Sequence, residues 1–97
     1  MTNKQSTSAS LILQNAQGHM NERATTYDQP DGERSMSATV TMFNALTESH
    51  LSEEQGWLFM VCLKLNRAQQ GDLRLDSYED GAAYFALAGE AASQERA

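Results

Sequence analysis

The 97 residues carry 13 acidic against 7 basic side chains, a net charge of −6; this is chain enough for one domain with a modest core and a poor match to the phosphates of nucleic acid. A single cysteine, Cys62, excludes a disulfide framework and a cysteine metal site, and inside its apolar neighbours it reads as a small buried hydrophobe. No signal-like stretch opens the chain and no apolar run approaches the roughly 20 residues that span a bilayer, so a cytoplasmic protein that does not engage membranes is expected.

Residues 1–8 are polar and aperiodic and read as a flexible N-terminal arm, with a helix cap among Ser6, Ser8 and Ser10. Leu11, Ile12, Ala16, His19, Met20 and Arg23 then recur at helical spacing, which predicts a first helix over about 9–24, ending near Thr25. The run Asp28-Gln29-Pro30-Asp31-Gly32 is a loop by composition. Ser35 or Ser37 can cap a second helix over 35–47, whose apolar stripe is Met36, Val40, Phe43, Ala45 and Leu46. A link of about five residues makes it a neighbour of the third helix, expected to be antiparallel.

The third helix, 52–70, holds seven consecutive apolar residues from Trp57 to Leu63. Without a polar stripe it should be covered around most of its circumference, as the centre of the fold. Ser52 and Gln55 form a capping box at its start, and Glu53 and Glu54 suit the positive end of the helix dipole. Gly71 suits the left-handed residue that ends it. Asp76 opens a fourth helix, 76–94, as an acidic cap with Glu79 at the third position. Its alanine-rich body places Tyr78, Ala82, Phe85 and Gly89 on one face and Tyr84, Leu87 and Ala88 on another, suited to lie against the third helix. The expectation is an all-α, compact bundle of four helices, a single domain over 9–97.

Lys64 and Arg67 share a face at spacing three, and Asp76 and Asp80 share one at spacing four shortly afterwards. Two readings follow. In one, these charges form an inter-helix salt-bridge network that holds the hairpin in register. In the other, Asp76 and Asp80, with Glu79 or Glu54, bind Mg²⁺ while Lys64 and Arg67 receive phosphates. His19 and His50 stand apart from any nucleophile motif, and no glycine-rich phosphate fingerprint is present. Trp57 and Tyr84 read as core. Tyr27 either seals the core or offers an anchor to a partner, and with the acidic residues Asp28, Asp31, Glu33 and Asp72 it forms the candidate partner-binding surface. Alanine-rich and aromatic surfaces would also allow a homodimer.

The charged cluster invites comparison with nucleotide pyrophosphohydrolases of the MazG type, which place a Glu-x-x-Glu pair on one helix and a Glu-x-x-Asp pair on the next. Here Glu53 and Glu54 are adjacent, Gly56 and Trp57 stand where a second acid is needed, and Asp76-x-x-Glu79 is the one well-placed pair. The chain also resembles a family of small helical domains, mostly phage and prophage encoded and of unknown function. That pattern is an Arg, Tyr-Gly-x-Pro, an apolar helix ending Leu-Lys-x-x-Arg, then Asp-Ser-x-x-Asp and a Tyr. It is met by Arg23, Tyr27, Pro30, Met60, Leu63, Lys64, Arg67, Asp76, Ser77, Asp80, Tyr84 and Glu90. The chain departs from it at Asp28, Gln55 and Ala83, and the loss of an acid at Gln55 removes a metal ligand.

The resemblance implies a phage accessory protein, acting in an infected bacterial host, that binds and inhibits a host protein such as a CRISPR effector or another component of antiviral defence. On this reading it is no enzyme and needs no cofactor. The alternatives are a divergent MazG-like hydrolase using Mg²⁺ with Glu54, Lys64, Arg67, Asp76 and Asp80, or a nucleotide sponge using the same cations.

Overall fold

A computed structural model describes the backbone of residues 6–27 and 35–97 and the side chains of 6–22 and 35–97. Among the described residues the fold is all-α, with four helices in chain order: α1 (Ala9–Tyr27), α2 (Ser35–Thr47), α3 (Glu53–Ala68) and α4 (Leu75–Glu95). The α3–α4 hairpin is the backbone of the bundle; α1 lies along α4, and α2 touches α3 over a short stretch. No helix among the described residues is long and apolar enough to cross a membrane.

The starts of α1 and α3 follow local chemistry closely. Ser8 caps α1, its hydroxyl accepting the Leu11 N–H at 3.1 Å. At α3 both halves of the capping box form, with the Gln55 N–H on Ser52 Oγ at 3.1 Å and the Ser52 N–H on Gln55 Oε1 at 2.9 Å. Helix α2 ends on Glu48 in the left-handed conformation (φ 56°), and the Ser49 N–H reaches back to the Asn44 carbonyl at 3.1 Å. The Asn44 amide then bonds both the N–H and the carbonyl of Leu51, at 2.9 Å each, which fixes the short link into α3.

Ends and faces depart from expectation in five places. Helix α1 runs to Tyr27, past Thr25; two β-branched residues cost only a few tenths of a kcal/mol each and do not stop a helix. Helix α3 stops at Ala68, two residues early, because its last turn tightens: the Gln69 and Gln70 amides bond Asn66 and Arg67, three residues back. Gly71 is left-handed (φ 65°), as anticipated, but sits beyond that tightened turn. Asp76 does not cap α4. The cap position is Arg74, with no side-chain hydrogen bond, and Asp76 lies inside the first turn. Of the α2 stripe only Met36 and Val40 are buried, while Phe43, Ala45 and Leu46 are exposed, on a side that no described helix covers.

The core is consequently displaced. It consists of Met36, Val40, Trp57, Leu87, Ala88 and Ala91, with Met20, Leu51, Leu58, Met60 and Tyr84 packed around it. Trp57 and Tyr84 are core, as expected, their rings stacked at 5.6 Å between centroids. The apolar run of α3, by contrast, is covered on one side only. Phe59 is 71% exposed, and Cys62 is an exposed thiol, not a buried hydrophobe. Small residues are what let the covered side close. A Cβ on Gly56 would meet Met36 Sδ at 2.5 Å and Val40 Cγ1 at 2.7 Å, so α2 docks on α3 through that glycine.

Candidate functional site

Lys64 and Asp80 meet across the hairpin, Nζ to Oδ2, at 3.0 Å, both half-buried. The helices run close here: a Cβ on Gly81 would lie 3.6 Å from Lys64 Cβ, an ordinary van der Waals contact. Arg67, one turn further on, makes no ion pair with a described residue. Asp76 lies 3.7 Å from Arg74 Nε, a loose and exposed pairing. Of the four charges that the sequence groups together, only one pair is closed, and that pair holds the hairpin in register.

The others border a cleft of about 660 Å³ at the α3–α4 turn, lined by Lys64, Arg67, Gln70, Gly71, Asp72, Arg74, Asp76 and Ser77. Ser77 is 6% exposed and its hydroxyl has no hydrogen-bond partner among the described residues. A buried hydroxyl left without a partner costs about 1–3 kcal/mol. Nothing in the sequence separates it from an ordinary first-turn serine, and Arg74 gives no sign of being a cap without a cap bond.

Glu54 is elsewhere. It begins α3, about 15 Å of helix from Lys64 at roughly 1.5 Å per residue, and its carboxylate accepts from Arg96 at 2.8 Å beside the far end of α4. Its own N–H donates to the Glu95 carboxylate at 3.2 Å. Glu79 also points away from the cleft: it accepts from Asn15 Nδ2 at 2.9 Å and lies 2.9 Å from His19 Nε2, tying α1 to α4. The histidine that reads as solitary in sequence thus has a partner 60 residues away. Among the described residues no three His, Cys, Asp or Glu side chains come together to hold a metal ion.

A second hollow, about 430 Å³, continues from the cleft along the outer face of the hairpin, sharing Lys64 and Ser77 with it. Val61, Leu65, Ala68, Tyr78, Ala82 and Phe85 make it apolar. Leu65 is 59% and Phe85 63% exposed. Of the residues in the candidate partner surface, Asp72 is exposed at the cleft rim. The Tyr27 side chain, Asp28, Asp31 and Glu33 lie outside the described residues.

Residues 11–92 match the family described as a domain of unknown function (DUF6378), and the chain belongs to that family. No curated protein and no solved structure matches it.

Proposed function

We propose that this DUF6378 domain works by binding a protein partner and not by catalysis, using the uncovered apolar face of the α3–α4 hairpin. One observation supports this reading above the others: the groove of Val61, Leu65, Tyr78, Ala82 and Phe85 is a continuous apolar surface on an otherwise acidic chain. Contiguous exposed patches of this kind mark interaction sites in soluble domains. Aromatic and aliphatic anchors in a concavity supply affinity, and acidic residues around them choose the partner's charge and speed its approach. The partner in this proposal is a basic or neutral protein surface. The resemblance to phage-encoded domains extends it to a host protein in an infected bacterium, including the defence machinery named above.

The test is retention of a partner from bacterial lysate by the tagged protein and by a Leu65→Asp/Phe85→Asp variant whose melting temperature matches the parent. The parent should retain one partner in stoichiometric amount and the variant should lose it. A further variant reversing Asp28, Asp31, Glu33 and Asp72 should bind more slowly at low salt, with the difference shrinking as salt rises. Equal retention by parent and apolar-face variant overturns the reading. So does self-association of the parent through that face with no other protein retained, which makes the face a homodimer interface.

A further inference from the structure

We propose that the cleft at the α3–α4 turn is a binding site for a phosphate group, adjoining the apolar docking face. Three observations meet at this turn. Helix α4, 21 residues long, begins at Arg74 without a side-chain cap, and the amides of Leu75 and Asp76 donate to no carbonyl or side chain among the described residues. Such amides, at the positive end of a helix dipole, are oriented to receive an anion. Ser77, the third residue of the same turn, is almost wholly buried and lines the cleft, and its hydroxyl has no partner among the described residues. A group bound in the cleft would give that hydroxyl a hydrogen-bond partner. The third observation is charge. Lys64, Arg67 and Arg74 face Asp72 and Asp76 in the lining, and with Asp80 paired to Lys64 the turn is locally neutral on a chain of net −6.

The cations have distinct parts. Lys64 is held by Asp80 and contributes mainly field. Arg67 makes no ion pair with a described residue, and its guanidinium fork has the geometry that suits two phosphate oxygens at once. Arg74 is held only loosely by Asp76, so an incoming phosphate competes with that carboxylate for the guanidinium. A cleft of about 660 Å³ takes an inorganic phosphate with room to spare and also admits a phosphate monoester.

Isothermal titration of the full chain with inorganic phosphate and with adenosine 5′-monophosphate, at low ionic strength, tests this. Saturable binding of one phosphate group per chain is expected. Arg67→Gln and Ser77→Ala should each weaken it about tenfold or more, as expected for loss of one charge-assisted donor. Asp76→Asn should tighten it, because the competing carboxylate is gone; a merely structural role for Asp76 would give no such gain. Arg96→Gln, which removes an equal charge at the opposite end of the hairpin, should leave it unchanged. Tighter binding of the nucleotide than of phosphate assigns the site to an organic phosphate, and equal binding assigns it to phosphate itself. Absence of saturation, or equal weakening by Arg67→Gln and Arg96→Gln, overturns the proposal. Matching circular dichroism melts of each variant separate loss of the site from loss of the fold.

Discussion

The two ends of the α3–α4 hairpin are built on opposite plans. At the end where α3 begins, the capping box is closed, Glu54 holds Arg96, Gly56 seats α2 and Trp57 stacks on Tyr84. At the turn end, α4 starts without a cap bond, Arg67 has no ion pair with a described residue, and Ser77 buries an unpartnered hydroxyl. The outer face running from that turn leaves Leu65 and Phe85 in water. One end therefore carries the stability of the domain, and the other departs from the usual rules of helix capping and polar satisfaction. Natural domains tend to tolerate such departures where a ligand or partner supplies what is missing.

Substitutions should grade accordingly. Trp57→Ala, at the closed end, should cost about 3–5 kcal/mol, much of the stability of a domain this small, and would be read as loss of a cooperative thermal transition near the parent's. Gly56→Ala should cost about 1–3 kcal/mol by overpacking against Met36 and Val40, a fall in melting temperature of roughly 4–8 °C per kcal/mol. At the turn, Lys64→Met should cost about 1–3 kcal/mol, since the half-buried Asp80 carboxylate loses its partner. A Lys64→Met/Asp80→Leu double variant should recover part of it in a double-mutant cycle. Ser77→Ala should reverse the sign, raising stability by about 0.5–1 kcal/mol through better helix propensity and removal of the unpartnered hydroxyl. Phe85→Ser should change the unfolding free energy read from chemical denaturation by no more than about 0.5 kcal/mol despite removing a whole ring. If Phe85→Ser proved as costly as Trp57→Ala, the contrast between the two ends would be wrong.

Local chemistry made much of the fold legible. Ser8, the Ser52–Gln55 box and the left-handed Gly71 are each readable from a few neighbouring residues, and the structure uses all of them. Faces were harder to read, because periodicity says which residues align but not whether another helix covers them. Phe59, Cys62 and Leu46 illustrate this: all three belong to apolar patterns and all three are exposed. The candidate site divides in the same way. Lys64 and Asp80 are linked by short sequence separation and helical spacing, so their pairing could be anticipated. Glu54 was grouped with them by residue type alone, and a helix of this length carries it to the far end. The bond of His19 to Glu79 depends on how α1 lies against α4, which no local pattern encodes.

The stacked ring pair has a practical side. Trp57 is the sole tryptophan of the chain, almost wholly buried, and its partner Tyr84 comes from the other helix of the hairpin. The intrinsic fluorescence of the unlabelled protein is therefore a built-in gauge of whether α3 and α4 are together. Emission should move to longer wavelength as water reaches the indole. A ligand seated at the turn should delay that shift on heating while leaving the spectrum of the cold protein almost untouched, because the indole lies about 10 Å of helix from Lys64 at the cleft and faces the core.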